Sequence, residues 1–395
     1  MKRIALLGSP LVAVAVALSI HLVTAGGSAP HSGRVSIGQM QTPPVGRLVR
    51  GRLLTGFARG RSVLALPAAA PLVGNLGPVA APSRDRRYVA YNTWRWARPI
   101  DWQRSLDEQG ISTGDALGLP QLHVRDLRTA NDAALEPGTF SVAWRADDAI
   151  AYARGTTPDY RANTPFLADV VVRRQLAGEP VVWSAEPGRY LVEGWAGQHL
   201  IVRRQVPGET GELLVFDGPG LVRPLAADAD LIAISPSGAT VVIAEGAANS
   251  QAPSIRLLSV VDGSEQARLE LAEIVDPVTR EPVEDVGGIG SWRGNRVVAA
   301  ASSGLVVLRA ASGRLSAEQV LHVDTATRPG GGFYEPQFAD DDERTIVTWA
   351  DLPASGGRES AQFVCDRYAL ACDEGPPVPS ARAPRPVYDP SGGNQ

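Results

Sequence analysis

The segment YNTWRWARPIDWQRS, residues 91–105, contains Trp94, Trp96 and Trp102, three of the eight tryptophans in the chain. Arg95, Arg98 and Asp101 lie among them. Indole rings beside guanidinium groups are typical of interface anchors, and the pairing also permits cation–π contact. The competing reading is structural, with the rings folding back to give a long excursion its own small core. The two are compatible, since capping with two rings leaves one free.

Other residue types with chemical potential are sparse. The histidines are His21, His31, His123, His199 and His322; the first lies in the apolar N-terminal run and the second just after it, and none of the others falls in a strand that would line a central channel, so no histidine-ligated catalytic metal is expected. No G-x-S-x-G is present, so there is no nucleophile elbow. Asp340, Asp341, Asp342 and Glu343 form the densest acidic run but lack the glycine and distal glutamate of a calcium loop. They read as a turn, where aspartate bonds its own backbone. VGGIGSWRGN, residues 286–295, has no G-K-S/T and precedes a strand, so it is not a phosphate cradle. Cys365 and Cys372 are the only cysteines. If Phe363–Asp366 and Ala371–Asp373 are neighbouring strands, the thiols face each other and a disulfide is favoured in an oxidising compartment.

Composition narrows the class. The chain has 395 residues, 44% apolar, and a formal charge of −4. No basic field or stripe of stacking aromatics favours nucleic acid. Lys2 and Arg3 precede the apolar run Ile4–Val23, and Val23-Thr24-Ala25 offers small residues for cleavage. Residues 1–25 therefore read as a signal peptide. An uncleaved anchor is the alternative, because the run approaches the ~20 residues that span a bilayer; such an anchor is the only membrane contact expected. Residues 26–60 read as a linker rich in Pro, Gly and Arg, and 379–395 as a flexible tail.

The elements that must position these residues are strands. Short β-branched runs recur between Gly, Asp, Ser and Pro, and one signature returns six times: a polar tight turn, then an apolar strand. The copies are SRDRRYVAY, RADDAIAYA, WAGQHLIV, SPSGATVVIA, WRGNRVVAA and ADDDERTIVTW. Their turns fall near positions 85, 147, 197, 237, 294 and 342. A period of roughly 40–62 residues, with about four strands per unit, is the signature of a β-propeller. The expected fold is all-β: a six-bladed β-propeller of four-stranded antiparallel blades over residues 61–378. One such sheet cannot cover both its faces, and a ring of them can.

SRDRRYVAY, SPSGATVVIA and ADDDERTIVTW follow an S-P-D-G-x-x-φ-A-φ pattern, where φ is apolar. That pattern resembles the TolB-type six-bladed propellers of bacterial envelopes. What the resemblance implies is an exported binding scaffold.

Writing each unit as strands a-b-c-d puts a–b and c–d turns at one end of the disc and b–c and d–a connections at the other. The a–b turns are tight. The b–c connections read as long at 92–120, 155–167, 203–211, 246–253 and 350–360, and short only in the fifth unit. The tryptophan segment thus falls in a b–c connection, on a face suited to binding. Tyr334 and Glu335 enter the sixth a strand, where they read either as facing the channel mouth or as part of a plain d–a turn. Glu335, Glu186 and Asp285 are the carboxylates nearest a-strand starts, where a propeller enzyme of the lactonase or lyase kind holds its groups. The histidines instead fall in c, b and d strands. The function expected is non-catalytic binding of an envelope or extracellular protein, peptide or glycan by a secreted or cell-surface monomer without cofactor. RSVLAL, residues 61–66, is expected to close the ring by pairing with the sixth blade.

Overall fold

The computed structural model describes residues 55–58, 61–64, 72–74, 76–83, 87–96, 117–129, 131–155, 167–205, 211–245, 253–301, 304–322, 333–338, 343–354 and 357–374. Among them the regular structure is strand, apart from a 3-10 turn at Leu271–Glu273.

The chain opens with a three-stranded sheet, β1 (Thr55–Ala58), β2 (Arg61–Leu64) and β3 (Leu72–Gly74). Six four-stranded sheets follow, each built from one uninterrupted segment with its strands in chain order. The first is β4 (Leu76–Pro82), β5 (Tyr88–Trp96), β6 (Leu117–Asp126) and β7 (Asp132–Pro137). The second is β8 (Thr139–Trp144), β9 (Ile150–Gly155), β10 (Ala168–Arg173) and β11 (Val181–Val182). The third is β12 (Tyr190–Ala196), β13 (His199–Arg204), β14 (Glu212–Gly218) and β15 (Leu221–Ala227). The fourth is β16 (Ala229–Ile234), β17 (Thr240–Glu245), β18 (Ser254–Ser259) and β19 (Glu265–Glu270). The fifth is β20 (Val286–Arg293), β21 (Arg296–Ala301), β22 (Gly304–Ala311) and β23 (Arg314–His322). The last is β24 (Phe333–Phe338), β25 (Thr345–Ala354), β26 (Gly357–Asp366) and β27 (Ala371–Glu374).

The first strands of successive sheets lie side by side, β4 by β8, β8 by β12, and so on to β24. The sheets therefore radiate from a common axis as the blades of a β-propeller. Each of the six signature turns of the sequence joins a first strand to a second.

Blade-on-blade packing explains why the strands read as continuous apolar runs. In HLIVRR, Leu200 and Val202 join the core shared with the second blade, and Ile201 the core shared with the fourth. Side chains alternate faces, and here both faces are covered. Five apolar cores fill five successive junctions, from Leu122 against Ile150 to Leu305 against Phe363. Each fully buried Leu, Ile or Phe stabilises by roughly 1.5–3 kcal/mol relative to an exposed one.

Cys365 and Cys372 are bonded, and they are register partners in β26 and β27. The bond staples the outermost strand of the last blade. A Cys365→Ser/Cys372→Ser variant is expected to lose roughly 2–3 kcal/mol, read as an earlier midpoint in a urea titration.

Three expectations are corrected. RSVLAL does not pair with the last blade: β2 lies between β1 and β3, and the last blade completes itself with β27. Its partner β1 falls inside the segment read as linker, where Gly56 and the arginines masked a short strand. The connection expected at 92–120 is shorter, because β5 runs on to Trp96 and β6 begins at Leu117. Aromatic residues favour such a pleated surface. The connection expected at 350–360 is instead a long hairpin, with Asp351 opposite Ser360 and Ala354 opposite Gly357. Pro353 and Gly357 read as loop punctuation, but both are paired in the ladder, Pro353 opposite Arg358 and Gly357 opposite Ala354.

Candidate functional site

The innermost strands share one irregularity. Each a–b ladder is interrupted once: at Leu76/Ala80, Thr139/Ser141, Val192/Gly194, Leu231/Ala233, Gly287/Ser291 and Tyr334/Gln337. An extra residue in one strand of a pair bends it and raises its twist. Six such bends let the first strands converge without splaying the outer ones. They also re-aim single side chains out of the alternation.

In the third blade the bulged residue is Glu193. Its carboxylate accepts a hydrogen bond from Arg203 Nε at 2.9 Å. A second nitrogen of the same guanidinium, Nη1, pairs with Asp230 at the start of the fourth blade's first strand. The Glu193 and Arg203 side chains are each 3% exposed and Asp230 is 16% exposed, so the pairs sit largely out of water. Asp285, immediately before β20, adds a further negative charge facing Asp230.

Two carboxylates share one guanidinium, and a third, Asp285, bears on Asp230. Burial pushes the Asp230 carboxyl above the usual aspartate range; Arg203 opposes this, and Glu193 and Asp285 add to it. Asp285 is raised too, by the protein density around it, although its side chain reaches solvent and the Val286 N–H partly offsets the effect. The group lies where first strands begin, the end of the disc at which b–c and d–a connections gather. Chemically it offers hydrogen-bond acceptors and negative potential to a donor or cationic group. Among the described residues, no three His, Cys, Asp or Glu side chains converge as a metal cluster.

The same end carries an ordered d–a connection, residues 271–285, that sequence reasoning did not single out. Asp276 is 1% exposed. Its Oδ1 accepts from the amides of Val278 at 2.8 Å and Thr279 at 3.1 Å, closing a turn. Its Oδ2 lies 2.6 Å from His322 Nδ1 on β23, which ties the connection to the fifth blade. Val275 and Val278 are left exposed on it.

The residues singled out in the sequence are partly placed. Trp94, Arg95 and Trp96 lie on β5, with Trp94 opposite Pro120 and Trp96 opposite Leu117. They stand at the loop-rich end of the second strand rather than within the connection. Arg98, Asp101 and Trp102 lie outside the described residues, as do Asp340, Asp341 and Asp342. Tyr334 is opposite Trp349 at the start of β24, and Glu335 falls in its bulge. Glu186 is exposed in the connection 183–189, close enough to bear on the Tyr190 phenol. The structure thus brings Asp285 together with Glu193, Arg203 and Asp230, none of which the sequence reading named. The one available signal was Glu193, a charge inside the apolar run YLVEGW.

His123, His199 and His322 fall in the c, b and d strands assigned from sequence, and each meets an aspartate. His123 Nδ1 is 2.9 Å from Asp132, which also accepts from the Tyr91 hydroxyl. His199 pairs with Asp217, which Arg223 also reaches at 3.0 Å.

No protein-family model matches the chain, and no curated protein matches it. Solved structures of propellers do. The β-propeller domain of the Trilobed protease from Pyrococcus furiosus is 10% identical, with 80% of this chain and 88% of that one covered at a TM-score of 0.47. Acylaminoacyl peptidase from Pyrococcus horikoshii is 12% identical, over 80% of this chain, at a TM-score of 0.46; this chain spans 47% of its length. TolB from Acinetobacter baumannii is 12% identical, with 66% and 61% covered at a TM-score of 0.37. At such identities the likeness concerns the fold and says nothing of activity.

Proposed function

We propose that the chain is an exported, non-catalytic binding propeller that receives its partner at the loop-rich end of the disc. The observation that carries this reading is the asymmetry of the connections. First-to-second and third-to-fourth links run to at most seven residues, and several to two, for example 197–198, 219–220 and 312–313. The long ones, 97–116, 156–167, 271–285 and 323–332, all leave from the other end. Variable loops on a rigid scaffold are where recognition concentrates. The exposed valines at 275 and 278 and the carboxylates of Asp230 and Asp285 add apolar and acidic character there. An envelope or extracellular protein, peptide or glycan with donor or basic groups fits that surface. The disulfide and the TolB-like turn signature support an envelope setting.

The test is cross-linked capture from envelope extract. Trp96→Ala/Trp102→Ala is expected to lose at least tenfold of the captured partner at an unchanged melting temperature. Arg314→Ala, at the tight-turn end, is expected to keep it. Equal capture by all forms rejects this face as the site.

A second reading, a propeller enzyme using channel carboxylates, has one observation in its favour: Asp285 bears on Asp230 electrostatically, and burial raises both carboxyls. A stoichiometric, tightly held divalent ion in the purified protein would favour it over binding.

A further inference from the structure

Five of the ten exposed large apolar residues among those described lie together: Val181, Val182, Leu221, Val222 and Val261, each 39–68% exposed. They belong to the outer strands and c–d turns of the second, third and fourth blades. Two hydrogen bonds knit them into a single run. Gly220 N donates to Trp183 O at 2.8 Å, which brings the Val182–Trp183 and Gly220–Leu221 segments together. Arg223 Nη2 donates to Val260 O, which does the same for Val222–Arg223 and Val260–Val261. No stretch of sequence shows this run, because its members come from three units. Apolar side chains scattered singly over a surface are ordinary, whereas a contiguous patch marks an interaction site.

The charges along the rim indicate what covers it. Within the run, Arg223 Nε pairs with Asp217 at 3.0 Å. At one end, the link 174–180 carries exposed Arg174, whose guanidinium has no partner among the described residues. Exposed Glu179 lies in the same link. At the other end stands exposed Asp262, whose Oδ1 accepts from Ser264 Oγ at 2.8 Å and which has no cationic partner among the described residues. An apolar strip with an unpaired arginine at one end and an unpaired aspartate at the other complements itself after a half-turn. No surplus of cations here favours nucleic acid or an anionic lipid surface. Pro180 precedes β11 and Pro224 lies in β15. Neither has an amide to donate, and proline on an outer strand blocks the addition of another. Contact at this rim is therefore through side chains and does not propagate as a ladder.

From these features we infer that the rim of the second to fourth blades joins two copies of the chain about a two-fold axis, in place of the monomer expected from sequence. The axis passes by Leu221 and Val222, so each copy covers the other's run. Arg174 then stands between Glu179 of its own chain and Asp262 of the partner subunit, as Arg296 stands between Glu318 and Glu343. A contact of one patch with itself closes at two copies, and an apolar centre with a polar margin is the usual anatomy of such interfaces. The loop-rich end takes no part, so pairing and the binding role proposed for that end are independent.

Sedimentation equilibrium of the full chain tests this, with a monomer–dimer equilibrium as the expected result. Leu221→Asp is expected to weaken it roughly 100-fold, since it puts a charge at the covered centre. Arg174→Asp and Asp262→Arg are each expected to weaken it roughly tenfold, since like charges then meet. An equimolar mixture of these two variants is expected to recover most of the wild-type affinity. A mixed pair restores both opposite-charge contacts, and neither variant paired with itself restores any. Melting temperatures near that of wild type check that the variants fold, and if Asp262→Arg does not, Leu221→Asp and Arg174→Asp decide. A wild type that stays monomeric overturns the inference, and flotation of that monomer with phosphatidylcholine vesicles would give the run to a lipid surface instead. A dimer that none of the substitutions weakens, or a mixture that recovers nothing, overturns it as well.

Discussion

Replacing Arg203 by alanine is expected to destabilise the fold by about 3–5 kcal/mol, the usual cost of leaving buried charge uncompensated. Arg203 is 3% exposed and, among the described residues, is the sole cation between Glu193 and Asp230. Without it, two carboxylates face each other, with Asp285 nearby, and they can avoid repulsion only by taking up protons. The pH dependence has a definite sign. Asp230 already titrates above its unfolded value, so the native state holds more protons than the unfolded chain across that interval. Stability from this group therefore falls as pH rises from the ordinary aspartate range through the raised native value. In Arg203→Ala the native value of Asp230 rises further, so the variant should recover stability on acidification toward pH 5. Denaturant midpoints of wild type and variant at pH 5 and pH 8 measure this. A variant whose deficit is the same at both values would show that the triad is not electrostatically coupled. Arg203→Met separates charge from packing, since it keeps much of the stem; it should lose nearly as much as the alanine form at pH 8.

Gly238→Ala is expected to cost about 2–4 kcal/mol, from a left-handed backbone and from overpacking. Gly238 sits at φ 74° in the turn SPSG. An added Cβ would lie 2.6 Å from the carbonyl carbon of Ala196, and closer still to the amide of Gly197. These are backbone atoms of the neighbouring turn, so nothing flexible can yield. Gly220→Ala is the control: its φ is 71°, but a Cβ there meets nothing within 4 Å. It should show the conformational cost alone, about 1 kcal/mol. Thermal melts of the two variants check this, and similar melting temperatures would mean that the turns do not pack as tightly as the geometry requires.

The turns made the fold legible. Each repeated signature is a local chemical statement about two strands and the link between them, and all six fall between a first and a second strand. The third blade was found from WAGQHLIV because Gly197 still supplies the positive φ of a two-residue turn. The three-stranded sheet was hidden because strands of three or four residues leave too short an alternation to read. The last hairpin was hidden because Pro353 and Gly357 stand in strands whose pairing is set by a partner, not by their own composition. The charged group at the channel mouth was legible only at Asp285. Glu193, Arg203 and Asp230 come from two blades and meet through a bulge, and nothing in a linear pattern says which residue a bulge will turn inward.

The links at Gly138 and Asp228 are single residues at φ 77° and 49°, so one blade's outer strand passes straight into the next blade's inner strand. No four-stranded unit borrows a strand from a distant part of the chain. A polypeptide emerging amino-end first from a ribosome or a translocation pore can thus complete its sheets one at a time, each new one templated on the last. Its earliest strands need not be kept waiting for its final ones, which limits how long any sticky border stays bare while the rest is still being threaded.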